Sequence, residues 1–261
     1  MINHWLITGD THGEFTRFGR IKPLIPKDEV WAVIILGDAG FNYYLSKTEK
    51  KRQKQVCRSY PNLRFYCVRG NHEQRPELVD NVVSVYDKEV QGEVWWDPDI
   101  PNIKYFKDGA TYQIEGNKTL VVGGAYSVDK NYRLWRGSQG QYAGWFEGEQ
   151  LTQKERDEIV ANVKGQHFDL VLAHTCPFEW MPRDLFLSCV NQSEVDNSME
   201  LWLTELLYAI DWNVFLCGHF HDTRDLAPHA EMLNLTIKDL QEIMDYWKDD
   251  HNEEFSFGSD S

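Results

Sequence analysis

Five apolar runs along this chain each end in a short polar motif, and no other feature constrains the fold as much. The motifs are Gly9-Asp10-Thr11-His12, Gly37-Asp38, Gly70-Asn71-His72-Glu73, Ala173-His174 and Gly218-His219-Phe220-His221. The runs before them are His4 to Thr8, Val30 to Leu36, Leu63 to Val68, Phe168 to Ala173 and Trp212 to Cys217, and they read as strands. Val30 to Leu36 holds no polar residue, which suits a strand buried on both faces. One aspartate after a strand reads first as a helix N-cap, and one histidine at an apolar edge as a packed core residue. Five of the nine histidines fall in these motifs, so the set reads as one site.

Between the first three runs, Glu14 to Ile21 and Leu45 to Tyr60 read as helices. The second is polar and rich in Lys and Arg, and is expected to face solvent. Strand, helix, strand, helix, strand gives βαβ units and a parallel sheet, hence an α/β fold. The middle of the chain changes character. Val82 to Tyr86, Ile103 to Phe106, Thr111 to Glu115 and Thr119 to Val122 are short strand-like runs separated by Gly, Pro and Asn, and read as an antiparallel meander. Trp95-Trp96-Asp97-Pro98 reads as an exposed turn or an interaction edge. Gly123 to Gly148 reads as one long aromatic loop, of a length that is usually functional or mobile. Gln150 to Val163, Ser198 to Ile210 and Leu235 to Trp247 read as helices. Residues 1–248 form one expected domain, and the acidic segment 249–261 is expected to fray.

Carboxylate, imidazole and carboxamide side chains are the donors of a site for hard-to-borderline divalent metals. Asp10 and His12 are two residues apart, as are His219 and His221, so each pair can turn toward one ion. Parallel strands emit their loops at one sheet edge, where open α/β sheets bind ligands. Glycine before Asp10, Asp38, Asn71 and His219 allows sharp turns or close backbone approach there.

This ordered set, spanning residues 8 to 221, resembles the calcineurin-like metallophosphoesterase superfamily. The resemblance implies a four-layer α/β/β/α sandwich with a dinuclear metal site at the sheet edge. It implies that Asp10, His12 and His221 hold one ion, that Asn71, His174 and His219 hold the other, and that Asp38 bridges them. His72 would lie outside the coordination shell and act as general acid on the leaving group. The expected substrate is a phosphomonoester or phosphodiester, a nucleotide among the candidates. The expected cofactors are two divalent metal ions. The resemblance favours Mn²⁺, and the donor set also admits Fe or Zn²⁺.

Arg69-Gly70-Asn71-His72-Glu73 and Gly9-Asp10-Thr11-His12-Gly13 resemble the protein Ser/Thr phosphatase branch, but the second block departs from it. Phe41-Asn42 stands where that branch has Asp-Arg. The acid that would orient His72 and the arginine that would grip phosphate are both missing. Gly123 to Arg133 with Trp145-Phe146-x-x-Glu149 resembles a segment of uncharacterised bacterial and phage members. Arg133 is therefore the candidate replacement grip, against the alternative of a structural arginine. The aromatics of this loop either cover a sheet or offer a stacking face for a nucleobase.

The net charge of −14 and pI near 5.0 exclude nucleic-acid binding through the overall field, so a nuclease would need a basic partner. The other alternative is a protein-binding scaffold on the same fold, which the intact set of eight matched positions opposes. Five cysteines occur without a CxxC spacing, and Cys67 and Cys217, inside apolar runs, read as small buried hydrophobes. No apolar run reaches the roughly 18–20 residues of a membrane span, and the N-terminus has no signal-peptide pattern. A reducing, cytoplasmic setting is the expectation.

Overall fold

The computed structural model of the chain describes residues 1–249. The expectation for the acidic tail lies outside them, apart from the backbone of Asp249. The elements are β1 (His4–Thr8), β2 (Trp31–Ile35), α1 (Lys47–Ser59), β3 (Leu63–Cys67), β4 (Val83–Asp87), β5 (Gly92–Trp96) and β6 (Ile103–Phe106). Then come β7 (Thr111–Ile114), β8 (Asn117–Val122), α2 (Lys130–Ser138), α3 (Gln153–Val163), β9 (His167–Ala173), α4 (Ser198–Ala209) and β10 (Asp211–Cys217). The last are β11 (Arg224–Ala227), β12 (Ala230–Met232), β13 (Ile237–Asp239) and α5 (Leu240–Asp249).

The strands form two sheets. One has the order β13-β1-β2-β3-β6-β5-β4, the other β11-β12-β10-β9-β8-β7. Strand alternation explains how both faces of each become core. In β2, Ala32 and Ile34 join the cluster between the sheets, while Val33 and Ile35 face the outer cluster with Phe18 and Val56 of α1. In β9 and β10, Leu170, Leu172, Val214 and Leu216 face inward. Val171, Ala173, Phe215 and Cys217 pack outward against Ile159 of α3 and Leu203 and Leu206 of α4. The result is the α/β/β/α layering. Leu240, Ile243, Met244 and Trp247, at i, i+3, i+4 and i+7 of α5, extend the central cluster.

The structure corrects four sequence expectations. Residues 123–148 are not one loop, because α2 interrupts them; none of its nine residues is buried. Trp95 and Trp96 lie in β5, paired with β4 and β6, rather than in a turn. The middle is only partly a meander, since β6 runs parallel to β3 and β8 parallel to β9. The segment after Leu235 begins as β13, antiparallel to β1, before α5 starts. Among the described residues no helix is long and apolar enough to cross a membrane. Cys67, Cys176 and Cys217 are free and buried.

Candidate metal centre

The five motifs sit at the C-terminal ends of β1, β2 and β3 in one sheet and of β9 and β10 in the other, and their side chains converge. His12 Nε2 and His221 Nε2 are 2.9 Å apart. Asp10 Oδ2 lies 3.6 Å from the first and 3.4 Å from the second. Asp38 Oδ2 is 3.8 Å from His174 Nε2 and 4.0 Å from His12 Nδ1. His174 Nε2 is 2.8 Å from Asn71 Oδ1. Two groups, Asp10-His12-His221 and Asp10-Asp38-His174, each bring their ligand atoms within 4.8 Å of one another. The His219 ring packs edge-on against His174, with centroids 5.0 Å apart, but belongs to neither group. His72 is also outside both, with Nε2 4.0 Å from Asp38 Oδ2.

Both carboxylates divide their work. Asp10 Oδ1 accepts the His219 backbone N–H at 2.9 Å, and Asp38 Oδ1 accepts that of His72 at 2.8 Å. One oxygen thus pins the loop from another strand while the other points into the centre. Asp10 Oδ2 is buried and makes no hydrogen bond there. His174 Nδ1 donates to the Leu36 carbonyl at 2.7 Å. That leaves the Nε2 lone pair facing Asn71 Oδ1, whose Nδ2 donates to Ser127 Oγ at 2.8 Å. Two lone pairs facing each other beside an orphaned carboxylate oxygen are satisfied by a shared cation, and second partners of this kind fix ligand orientation. The donor set therefore fits divalent metal.

Backbone strain concentrates here. Of nine non-glycine residues with positive φ among those described, four are candidate ligands: His12, Asp38, His219 and His221. Such conformations cost about 1–3 kcal/mol each and persist only where surrounding structure over-determines them. Gly70 meets a different demand, since a Cβ there would run into the Asp38 carboxylate and backbone amide. Gly70→Ala is expected to destabilise the fold by about 1–3 kcal/mol through overpacking, read as a lower denaturant midpoint. Gly19, with open space around it, is the control and should tolerate alanine.

Charge crowding sets the protonation states. Burial, then the charge of Asp10, holds the Asp38 carboxyl well above the usual carboxylate range. Burial would raise Asp10 too, but the adjacent His221 and His174 imidazoles hold it below that range. Burial, with His174, pushes His219 down to about 3. Burial, with the Arg133 guanidinium, pushes His72 down to about 2, so its imidazole is neutral at pH 7.

The third motif also carries scaffolding. Glu73 accepts the Gly40 N–H at 2.8 Å and the Gly70 N–H at 3.3 Å, tying the loop after β2 to the loop after β3. Arg69 is buried; it pairs with Asp108 at 2.8 Å and donates to the carbonyls of Gly123, Gly148 and Glu149. It therefore holds the segment that carries Ser127. At the departure from the phosphatase pattern, Phe41 stacks on Phe15 at 4.6 Å and Asn42 accepts from the Tyr105 hydroxyl. Both positions fill the fold rather than the site. Among the described residues no acid replaces the missing orienting partner, since His72 Nδ1 is buried without a hydrogen bond.

Arg133 comes to the centre. It lines a cavity with His12, Asp38, His72 and His221. Its Nε donates to Asp129 at 2.7 Å, and its Nη1 to Tyr43 Oη at 3.0 Å and the Gly144 carbonyl at 2.7 Å. Asp129 thus pairs with Arg133 and makes no side-chain cap on α2. Arg52 lines the same cavity from α1, held by the Gly13 carbonyl. Sequence reasoning missed it, because one arginine in a Lys/Arg-rich helix looks like any other solvated charge. Ser127 was missed too, and no local signal marks it.

No curated protein matches the chain. The family model described as calcineurin-like phosphoesterase matches residues 4–223, a span that contains all five motifs. With the two-sheet architecture and the converging Asp and His groups, the chain belongs to the calcineurin-like phosphoesterase family.

Proposed function

We propose that this chain hydrolyses phosphomonoesters or phosphodiesters with two divalent cations. Asp10, His12 and His221 would hold one, Asn71, His174 and His219 the other, and Asp38 would bridge them. Family membership supports metal-dependent phosphoester hydrolysis in general. The convergence of Asp10 Oδ2, His12 Nε2, His221 Nε2 and Asp38 Oδ2 from strand ends far apart in sequence carries the finer reading. A cation pair bound there would lower the pKa of a water toward about 7 and relieve charge on the phosphoryl oxygens, with Mn²⁺ our choice and Fe or Zn²⁺ compatible.

The chain's own residues do the rest. Asp38 keeps one oxygen on the His72 amide, so the carboxylate and His72 move as a unit. His72 is neutral in the free site because of burial and Arg133. A phosphate bound beside Arg133 would offset that arginine's charge, and His72, protonated from solvent, would deliver its proton to the leaving oxygen. Arg133 lines the cavity, its Nη2 makes no hydrogen bond among the described residues, and it would grip a phosphoryl oxygen.

Turnover of p-nitrophenyl phosphate and bis-p-nitrophenyl phosphate with Mn²⁺, before and after chelation, tests the reading. Activity should vanish on chelation and return with metal. No turnover of either ester with any divalent metal would sink it in favour of a binding scaffold. Arg133→Ala should lower kcat/KM by about 10- to 100-fold, the worth of a charge-assisted hydrogen bond of about 1.5–3 kcal/mol. Unchanged kinetics on every ester would make Arg133 a structural residue only.

A further inference from the structure

The centre has two unlike flanks. On one side stand Arg133 and Arg52. On the other a cavity of about 460 Å³ opens directly from Asp38, Asn71, His72, His219 and His221. Its walls are apolar: Tyr126, Met181, Phe186, Leu187, Val190 and Phe220. Most come from residues 181–195, whose only regular structure is two single 3₁₀ turns. Leu187 and Val128 stand in its lining 58 % and 46 % exposed, apolar surface that an occupant would cover. No lysine or arginine lines it, and its charged groups, Asp38, Asp129 and Glu200, are all acidic.

We propose that this cavity holds the organic group of the substrate, and that this group is an uncharged aromatic ring system. The proposal rests on the phosphoesterase reading above. Size, apolar walls and a few polar groups are those of a small-molecule site. The lining offers no lysine or arginine to hold a second phosphate or a carboxylate, which the arginine flank would attract instead. The phosphoryl group would then lie over the centre, with its oxygens toward Arg133 and its ester oxygen toward the cavity. Phe186 and Phe220, nearly parallel at 23° with centroids 6.4 Å apart, offer ring faces for contact. The Asn197 carboxamide also lines the cavity and has no hydrogen-bond partner among the described residues, so a ring with polar edge atoms would meet it.

Benzyl phosphate and ethyl phosphate have alkoxide leaving groups of similar reactivity and differ chiefly in the ring. The Mn²⁺-loaded protein should prefer benzyl phosphate by about tenfold or more in kcat/KM, the scale of a filled apolar subsite. Phe186→Ala and Leu187→Ala should each remove most of that preference and leave ethyl phosphate within about twofold. Leu187 is exposed, so its substitution tests the cavity even if the Phe186 variant folds poorly. Calorimetric binding of benzylphosphonate against methylphosphonate reads the same preference without turnover. An adenosine 5′-phosphate arm separates the two sources of such a ring: preference for it beyond benzyl phosphate assigns a nucleobase, and none assigns a simple aryl group. Hydrolysis of all three esters at equal kcat/KM, with equal phosphonate affinities, would overturn the cavity assignment and leave the hydrolase standing. Tighter benzylphosphonate binding with no ester turned over would keep the cavity and overturn the hydrolase.

Discussion

Asp38→Asn should lower phosphoesterase activity by about 10³-fold or more and release both cations together. The activity term follows from losing several kcal/mol of metal-derived charge stabilisation at about 1.36 kcal/mol per decade. The paired release follows from position. Asp38 Oδ2 lies 4.0 Å from His12 of one proposed cation set and 3.8 Å from His174 of the other. Asparagine keeps an oxygen for the His72 amide, so the loop should stay in place while the bridging charge is lost. Metal analysis after dialysis, with circular dichroism as the folding check, decides the matter. Loss of one equivalent with retention of the other would show that Asp38 serves a single ion.

His72→Ala should cost about 10²- to 10⁴-fold in rate, the usual worth of a positioned proton donor. Metal content should stay at the parent level, because the His72 nitrogens lie outside both converging groups. The deficit should also depend on the leaving group. p-Nitrophenolate departs without a proton and should suffer little, whereas ethoxide needs one and should suffer most. A merely structural histidine would depress both substrates equally. Equal deficits, or loss of metal, would remove His72 from the acid role.

The strand ends were readable because each motif is contiguous. Gly9 to His12 follows β1 directly, and the ungapped apolar run at β2 announces a strand packed on both faces. The elements that escaped share a different property. β11, β12 and β13 are four, three and three residues long, too short for alternation to mark them. α2 buries none of its side chains, and its nine residues lie in a Gly- and aromatic-rich stretch that reads as loop. β5 was misread because Trp95-Trp96 is followed by Asp-Pro, and the local turn signal outweighed a pairing that depends on β4 and β6.

The sequence by itself determined the α/β class, the five strand-end motifs and the candidate ligands, since spacing and local turn chemistry write these into neighbouring residues. The tertiary structure decided how the strands divide between two sheets, and so which motifs face one another. It also decided that Arg133 meets Tyr43, ninety residues away, that Ser127 fixes the Asn71 carboxamide, and that residues 181–195 wall an apolar cavity beside the centre. Those contacts join segments far apart in the chain. Their placement comes from the summed burial of three apolar clusters, which no short window of sequence contains.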